Sequence, residues 1–445
     1  MDFSGLKVVV VGMERSGVAA VELLARKGAR VTATDVKTLV ELPQAAAVIE
    51  RLGVRFEPQS HEVFEDADWI VLSPGVPADL PDLGPARARG AVVCGDVELA
   101  GLFLRGRRIG ITGSNGKTTT TAWTGHLLRE AGIPVQVGGN IGAAVSSLVD
   151  SSRDDQWNVL ELSSFQLETT RTFHCQTASC LNVTPDHLDR HGTFEAYAAA
   201  KGMLFATQTA SDFAVLNADD PTCAAYAAGA RSRPFWFSRN TPHRPGAWLD
   251  DGTLWIEGLR LISADRIPLR GSHNVENALA AAAMAHLAGA SIEAIASGLA
   301  SFAGVEHRLE HVRTLAGVDY FNDSKATNVD ATLKAIDAFA GGLWVILGGK
   351  DKGSEYTPLG PPLARKAKAV LLIGAAAAKI AAQLEPYTVL IDAGTLDQAV
   401  HIARDSAVPG DTVLLAPACA SFDQFRNYEH RGQVFKQLVM DLKES

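Results

Sequence analysis

The sequence predicts an α/β protein of three domains, each built on a mainly parallel sheet. The chain has 445 residues, 47% of them apolar and 20% charged, a length that suits about three domains of ordinary size. Strand-like apolar runs alternate with helical stretches in three successive series, an order typical of parallel sheets flanked by helices. No period of about 20–50 residues repeats, which disfavours a solenoid.

The first predicted domain, residues 1–95, opens with a βαβ unit. Its predicted elements are strands Lys7–Val11, Arg30–Asp35, Trp69–Ser73 and Ala91–Cys94 and helix Val18–Lys27. The turn Gly12–Gly17 resembles G-x-G-x-x-G, but Glu14 replaces the second glycine. A side chain and a negative charge there oppose a pyrophosphate, which disfavours a nicotinamide-dependent oxidoreductase. Asp35 still suits a bond to a sugar or base, and Ser73–Val76 is a second strand-end turn suited to phosphate.

The second predicted domain covers residues 96–304 and the third residues 305–445. In the second, we expect strands Arg108–Thr112, Val159–Leu162, Thr177–Asn182 and Phe213–Asn217, helices Thr118–Ala131, His273–Ala288 and Ile292–Ser301, and a loop and hairpin over Ser238–Gly258. In the third, we expect strands Val318–Phe321, Leu343–Leu347, Ala369–Ile373 and Thr412–Leu415 and a final helix Gln424–Leu442. Both series predict open sheets with helices between consecutive strands.

The segment Thr112–Thr118, TGSNGKT, is predicted to bind nucleotide phosphate. A strand leads into it and a helix leaves it, so backbone amides and the positive helix end face an anion. In such loops Lys117 would contact the outer phosphates and the Thr118 hydroxyl would ligate Mg²⁺. The segment departs from G-x-x-x-x-G-K-[ST], because Ile111 occupies the first glycine position.

Three residues of the second domain are candidates for chemistry around that loop. Glu161 ends an apolar strand, where a carboxylate has no packing role and can reach a metal at a neighbouring loop. His187 follows another apolar strand in NVTPDHLDR, where a structural histidine is an equally open interpretation. Lys201 is predicted in the middle of a helix, where a solvated lysine is the ordinary expectation.

Three polar loops of the third domain each follow a predicted strand. They are Asn322–Asn328, Gly348–Gly353 and Pro417–Asp423. Each alone is explained by turn chemistry, but polar loops gathered at one sheet edge suit a binding cleft.

Charge and composition exclude several classes of protein. A net charge of −9 argues against a nucleic-acid surface, which needs a basic stripe. No apolar run approaches the roughly 18–20 residues of a membrane span, and Met1–Val11 lacks a signal-peptide pattern. The five cysteines show neither CxxC nor zinc-ligand spacing. We therefore expect a cytoplasmic protein with no nucleic-acid or membrane partner.

The motifs of all three domains resemble those of the Mur ligases of peptidoglycan synthesis. The matching segments are TGSNGKTT, VGGNIG, LELSSFQLE, NVTPDHLDRH, HNVENALAA, EHRLE, NDSKATN and APACASFDQFRNYEHRG. LSSFQL, DSKATN and CASFDQF are much more specific than the phosphate loop. The resemblance implies a Rossmann-like UDP-binding N-terminal domain, a central P-loop ATPase-like domain and a Rossmann-like C-terminal domain that binds the amino acid.

Matched by motif, the resemblance assigns roles to residues along the whole chain. For ATP it implies Gly113, Ser114, Asn115, Gly116, Lys117, Thr118, Thr119, Asn274, Asn277, Arg308, Asp323 and Lys325. For the UDP-linked substrate it implies Arg15, Ser16, Asp35, Lys37, Ser73, Gly75, Asn140 and His187. For the amino acid it implies Thr327, Lys352, Ser421, Phe422 and Tyr428. For metal it implies Thr118, Glu161, His187 and Lys201 as a carbamate, and for catalysis Lys117, His187, Lys201 and Arg308.

The activity that the resemblance implies is ATP-dependent amide formation through an acyl phosphate. The substrates would be UDP-N-acetylmuramoyl-L-alanine and D-glutamate, the cofactor Mg²⁺ as two ions, and the active species a monomer. The chirality of the glutamate rests on the resemblance alone. Two alternatives remain open from the residues: a folylpolyglutamate synthetase, which carries a similar phosphate loop, and a nucleotide-controlled binding switch that forms no peptide bond.

Overall fold

The computed structural model describes residues 1–269 and 271–443, with Asp189 described by its backbone alone. Three separate sheets, each with helices, run through these residues, and most of their strands pair in parallel. The predicted fold class is thereby confirmed. The chain divides into two compact units, one of Met1–Ile267 with His273–Phe302 and one of Pro268–Ser272 with the chain from Ala303 onward. The domain limits drawn from the sequence stay a prediction.

The N-terminal sheet has five parallel strands in the order β3-β2-β1-β4-β5. The elements are β1 (Lys7–Val11), α1 (Arg15–Arg26), β2 (Arg30–Asp35), α2 (Pro43–Leu52), β3 (Arg55–Pro58), β4 (Trp69–Leu72), α3 (Leu83–Ala88), β5 (Val92–Gly95) and α4 (Asp96–Gly101). The strand order reverses between β1 and β4. Ligands of open α/β sheets bind at such a reversal, and Gly12 and Ser73 follow these two strands directly.

The central sheet has nine strands in the order β14-β13-β12-β11-β10-β9-β6-β8-β7. Its strands are β6 (Arg107–Thr112), β7 (Val135–Gly139), β8 (Trp157–Glu161), β9 (Thr177–Cys180), β10 (Phe213–Asn217), β11 (Arg233–Ser238), β12 (Gly246–Asp250), β13 (Thr253–Ile256) and β14 (Leu259–Ser263). Its helices are α5 (Lys117–Glu130), α6 (Ser164–Leu167), α7 (Leu188–His191), α8 (Phe194–Gly202), α9 (Pro221–Gly229), α10 (Ser272–Leu287) and α11 (Ile292–Ser301).

The pairing of β6 determines what surrounds the phosphate loop. This strand lies between β8 and β9 and is parallel to both, so the ends of all three strands meet at one edge. Glu161 therefore lies beside the loop on one side and Asn182 on the other. The segment predicted as a loop and hairpin holds β12, which pairs in parallel with β11, and β13, which pairs antiparallel with both β12 and β14.

The C-terminal sheet has six strands in the order β15-β16-β20-β17-β18-β19, all parallel except the pair β15 and β16. Its elements are β15 (Glu310–Leu315), β16 (Val318–Asn322), α12 (Val329–Asp337), β17 (Leu343–Gly348), α13 (Gly360–Lys366), β18 (Ala367–Ile373), α14 (Ala377–Leu384), β19 (Leu390–Gly394), α15 (Leu396–Ser406), β20 (Thr412–Leu415) and α16 (Tyr428–Asp441). The last helix begins four residues later than predicted, because Asn427 caps it by accepting the His430 amide.

Side chains of the C-terminal sheet are buried on both faces. Along β17, Trp344 and Ile346 belong to one core while Val345 and Leu347 belong to the other. Two-sided burial explains why these strands read as continuous apolar runs. Within the described residues, no helix combines the length and apolar character needed to cross a membrane.

Candidate active site

The phosphate loop joins β6 to α5 with a backbone that glycine makes possible. Gly116 has φ +82°, and a Cβ there would lie 2.3 Å from the Asn277 Oδ1. Asn277 also accepts from the Thr120 hydroxyl at 3.2 Å and donates to the Asn274 Oδ1 at 3.0 Å. The two asparagines predicted to bind ATP are therefore buried against the loop and its helix.

Asn182, which the sequence reasoning missed, fixes the shape of the loop. Its Oδ1 accepts from the Asn115 amide at 2.8 Å, and its Nδ2 donates to the Asn115 carbonyl at 3.2 Å. Its own carbonyl accepts from the Ser114 amide. Thr118 and Thr119 follow in the first turn of α5 and are buried. The hydrogen bonds from Asn182 thus fix the conformation of the loop.

Two lysines converge on a single carbonyl oxygen of this loop. The Nζ of Lys117 donates to the Gly113 carbonyl at 2.7 Å and to the Ser114 carbonyl at 2.9 Å. The Nζ of Lys201 donates to the same Gly113 carbonyl at 2.9 Å. The shared acceptor places the two lysine Nζ atoms side by side at the edge of the sheet that carries the predicted phosphate loop.

The prediction of a solvated, mid-helix Lys201 is wrong. This residue is the penultimate residue of α8, and only 1% of it is exposed. Burial, with a contribution from the charge of Lys117, lowers its pKa from 10.5 to about 7. A lysine on a helix is usually solvated, but here α8 packs against the phosphate loop and buries the side chain. The lowered pKa leaves a large share of the Lys201 amine neutral near pH 7.

Tyr197 connects Lys201 to the loop and was also missed. Its ring lies 4.4 Å from the Lys201 Nζ, and its hydroxyl is 3.0 Å from the Ser114 Oγ. The Ser114 hydroxyl donates in turn to the Thr184 carbonyl. Burial raises the pKa of Tyr197 to about 12, so its hydroxyl stays protonated.

Glu161 offers an uncompensated carboxylate oxygen beside the loop. The residue is 2% exposed, and its Oε1 accepts from the Asn140 Nδ2 at 3.2 Å. Its Oε2 is buried with no hydrogen-bond partner among the described residues. An orphaned buried carboxylate oxygen is costly unless a cation completes it. The residues therefore fit Mg²⁺, which prefers oxygen ligands.

Preformed metal ligands are nevertheless sparse. Across the part of the chain that the structure describes, no group of three or more His, Cys, Asp or Glu side chains is placed to hold an ion. An ion here would rely on Glu161 together with the Thr118 hydroxyl, phosphate oxygens and other oxygen ligands. This pattern is typical of Mg²⁺ sites that bind the ion together with a nucleotide.

His187 stands at the start of α7 in a left-handed conformation, with φ +53°. Its side chain is 49% exposed, and its Nε2 lies 3.5 Å from the Asp186 carboxylate. The Phe165 ring lies 4.9 Å from its ring at 59°. A conformation that is costly for a non-glycine residue presents the imidazole at the surface of the site.

The predicted UDP-substrate residues of the N-terminal domain lie around the turn after β1. The Ser73 hydroxyl donates to the Gly12 carbonyl at 2.6 Å, and Asp35 accepts from the Met13 and Lys37 amides. The Lys37 ammonium is 2.8 Å from Glu14. The negative charge of Glu14, which disfavours a pyrophosphate at this turn, is thus locally offset by the Lys37 ammonium.

Two more of these residues bond outside the turn, and one of them reaches the central sheet. The Arg15 guanidinium donates to the Asn140 carbonyl at 2.8 Å. Ser16 bonds the buried carboxylate of Asp96, whose pKa burial raises to about 6. Gly75 is exposed in the loop after β4. A cavity of about 500 Å³ borders Arg15 and is lined from both sides by residues that include Met13, Glu41 and Ala143.

In the C-terminal unit, Asp323 follows β16 and is buried. Burial raises its pKa to about 6, against the opposing effects of Arg308, the Leu309 amide and Lys325. The Nε of Arg308 is buried with no hydrogen-bond partner in the described part of the chain. The Lys325 Nζ lies 5.6 Å from the Tyr428 ring. These predicted ATP residues therefore gather at one end of the sheet.

The predicted amino-acid residues lie on loops at the same end of this sheet. The Lys352 Nζ donates to the Thr327 carbonyl at 3.4 Å. Ser421 is buried, whereas 66% of the neighbouring Phe422 is exposed. Tyr428 is the first residue of α16, and its carbonyl accepts from the Ser324 hydroxyl at 2.8 Å.

Arg431, which the sequence reasoning did not assign, connects the loops that follow β16 and β20. Its fully buried guanidinium donates to the Ser324 Oγ and carbonyl and to the Cys419 and Ala420 carbonyls. Burial lowers its pKa to about 10, so it stays charged near neutral pH. The EHRG segment was quoted in the motif, but no local pattern marks this arginine as buried.

Three α/β sheets, with the lysine-bearing loop Thr112–Thr118 on the central one, are the arrangement that the sequence predicted. The chain belongs to the Mur ligase family. Residues 6–95 match the Mur ligase MurD-like N-terminal domain, residues 111–285 the Mur ligase middle domain, and residues 307–419 the Mur ligase glutamate ligase domain.

Similar proteins cover the whole chain. UDP-N-acetylmuramoylalanine–D-glutamate ligase of Solibacter usitatus is 61% identical, covering 100% of this chain and 99% of its own length. The ligase of the same name from Acidobacterium capsulatum is 53% identical over 99% and 97%. The structure of UDP-N-acetylmuramate-alanine ligase from Thermotoga maritima matches with a TM-score of 0.62, covering 98% of this chain and 100% of that one, and its 18% identity supports the fold alone.

Proposed function

We propose that this chain uses ATP to join D-glutamate to the terminal carboxylate of UDP-N-acetylmuramoyl-L-alanine, a step of peptidoglycan precursor synthesis. The observation that carries the proposal is the meeting of Lys117 and Lys201 on the Gly113 carbonyl, beside the orphaned Glu161 oxygen. The full-length similarity to ligases of this name supports the choice of substrates.

The first step activates the carboxylate. Its oxygen attacks the γ-phosphorus of ATP in line, the bond from that phosphorus to the bridging oxygen breaks, and ADP leaves with an acyl phosphate remaining. The loop amides and Lys117 are proposed to hold the phosphates, because fixed donors stabilise charge on a transferring phosphoryl group without reorganisation. Phosphate binding would draw Lys117 away from the Gly113 carbonyl.

Four residues of the central domain are proposed to hold magnesium: Thr118, Glu161, His187 and Lys201. Bound Mg²⁺ neutralises phosphate charge and orients its oxygens. Lys201 is proposed to act as a carbamate, for which a buried amine with a lowered pKa is suited, since only the neutral amine attacks carbon dioxide. A carbamate would replace the buried ammonium group with an oxygen ligand for metal. The proposal that two magnesium ions bind depends on this ligand.

The second step forms the amide. The glutamate amine attacks the acyl carbon, a tetrahedral intermediate collapses, and phosphate departs while the nitrogen loses a proton. His187, which is accessible beside Phe165, is proposed to orient the acyl group. The UDP part of the substrate is assigned to Arg15, Ser16, Asp35, Lys37, Ser73, Gly75 and Asn140.

Roles in the C-terminal unit are proposed separately. Asp323 is assigned to the ribose of ATP, and Arg308 and Lys325 to its phosphates. The buried, unpartnered Nε of Arg308 supports a role in binding an anion. Thr327, Lys352, Ser421, Phe422 and Tyr428 are assigned to glutamate. We expect a monomer acting in the cytoplasm, where both nucleotide substrates occur.

The test is ADP release coupled to product, followed by mass spectrometry. UDP-N-acetylmuramoyl-L-alanine, ATP and D-glutamate together should give the dipeptide product and one ADP per product. ADP release that needs a pterin substrate would favour a folylpolyglutamate synthetase, and ADP release with no ligated product would favour a nucleotide-controlled switch. Lys117→Ala should abolish product, and retained product would overturn the loop assignment.

A further inference from the structure

Arg190 connects the N-terminal sheet to the central sheet, and both sheets lie in the first of the two compact units. It lies in α7, three residues after His187, and its side chain is only 18% exposed. Its Nη2 donates to the Val76 carbonyl at 3.1 Å, and its Nη1 donates to the Gly75 carbonyl at 3.4 Å. These carbonyls belong to the loop after β4, so one guanidinium reaches from the central domain to the predicted diphosphate loop.

Glu168 holds this guanidinium from the central domain. Its carboxylate accepts a hydrogen bond from the Arg190 Nη2, and its side chain is 20% exposed. It lies immediately after α6, the short helix that follows Glu161 in the chain. A largely buried ion pair with satisfied hydrogen bonds has one preferred geometry, because each lost contact leaves a desolvated charge.

Arg190 also packs on the Phe165 ring, which contacts His187. The Arg190 Cζ lies 5.1 Å from the centre of the Phe165 ring, and the His187 imidazole lies 4.9 Å from the centre of the same ring. His191 also contacts Phe165, with ring centres 5.4 Å apart, and bonds the Ser164 hydroxyl at 3.0 Å. Arg190 thus contacts both the loop carbonyls and the ring that packs on His187.

These contacts connect two places that one substrate molecule must reach. Ser73 and Gly75 are assigned to its nucleotide end and His187 to its acyl end. A misplacement of about 1 Å between a held substrate and the reacting group can cost about 100-fold in rate. Arginine suits this task better than lysine, because its rigid fork donates in several fixed directions at once.

We propose that Arg190, seated by Glu168, is a positioning residue that sets the spacing between the Ser73–Val76 loop and His187. This inference rests on the proposed function for the two ends of the substrate. Arg190 itself does not touch the substrate. Replacing Arg190 should therefore slow only those substrates that bind both to the Ser73–Val76 loop and at His187.

The test compares Arg190→Met and Arg190→Lys with a matched control. Arg26→Met is that control, since the Arg26 Nε pairs with the Asp150 carboxylate at 2.9 Å and also bridges the two domains, away from either loop. For UDP-N-acetylmuramoyl-L-alanine, both Arg190 variants should lower kcat by about 100-fold and raise KM by about 10-fold. Arg26→Met should behave as wild type, and ADP affinity should stay unchanged in all three.

A substrate fragment separates positioning from structural damage. N-acetylmuramoyl-L-alanine lacks the UDP group and cannot engage the loop, so wild type and Arg190→Met should ligate it at equal rates. A fragment reaction slowed as much as the full reaction would overturn the proposal, because it would show damage at His187 itself. Unchanged kcat and KM with the full substrate would overturn it as well.

Hydrogen exchange gives a readout that does not depend on activity. The amides of Ser73, Gly75 and Val76 should exchange faster in Arg190→Met than in wild type, while those of the phosphate loop should not change. Equal exchange at residues 73–76 would overturn the proposal. Wild-type enzyme that forms no product would instead refute the proposed function, and the exchange result would still decide whether Arg190 holds the loop.

Discussion

Removing carbon dioxide should inactivate this ligase reversibly through the amine of Lys201. The pKa of this buried amine is lowered to about 7 from the ordinary 10.5. At pH 7 about half of such amines are neutral, compared with about three in 10,000 for an ordinary lysine. The neutral nitrogen attacks carbon dioxide, loses a proton and becomes a carbamate, so a modest bicarbonate concentration should load this position selectively.

Carbon-13 NMR with labelled bicarbonate measures that reaction directly. Wild type should give one carbamate resonance, which should vanish in Lys201→Ala and persist in Lys334→Ala, since Lys334 is a surface lysine paired with Asp330. Ligation should fall at least about 10-fold in buffer free of carbon dioxide, because a metal ligand is lost, and recover when bicarbonate is added. A spectrum without the resonance, with a rate indifferent to bicarbonate, would refute the reasoning.

Three further predictions follow from buried or loop-bound cations. Lys117→Met should lower ADP release at least about 100-fold, with UDP-substrate affinity by calorimetry unchanged; equal loss of both would contradict a phosphate role. Without carbon dioxide, Lys201→Met should raise the urea midpoint most at pH 6, where the charged lysine costs the folded state up to roughly 5 kcal/mol. That gain should shrink from pH 7 towards 10.5, because only the unfolded state keeps the proton there; a gain independent of pH would contradict it. Arg431→Met should lower the free energy of unfolding by about 3 kcal/mol and raise KM for glutamate, whereas Arg404→Met, at a surface pair, should do neither.

Several strands made of continuous apolar residues were predicted from sequence, whereas polar strands at a sheet edge were missed. Phe213–Asn217 and Thr412–Leu415 were predicted with the observed bounds, because continuous apolar runs mark central parallel strands. The edge strands Arg55–Pro58 and Glu310–Leu315 were missed, since partial exposure leaves them polar and without clear alternation.

The chemistry of the site was visible only where a local motif carries it. The glycines and Lys117 indicated a phosphate loop because the backbone geometry is encoded within a few residues. The burial of Lys201 was invisible, because it depends on Tyr197 and on a carbonyl 88 residues earlier in the chain. The burial of Arg431 was invisible for the same reason, since its partner Ser324 lies 107 residues earlier in the chain.

Oxygen-18 transfer tests the central claim, carboxylate activation by phosphoryl transfer, most directly. The substrate is UDP-N-acetylmuramoyl-L-alanine with both alanine carboxylate oxygens labelled, ligated to D-glutamate with unlabelled ATP. An acyl phosphate predicts that each released phosphate carries one labelled oxygen and each new amide retains the other. Unlabelled phosphate would contradict the account, because it would mean that water, and not the carboxylate, attacks ATP.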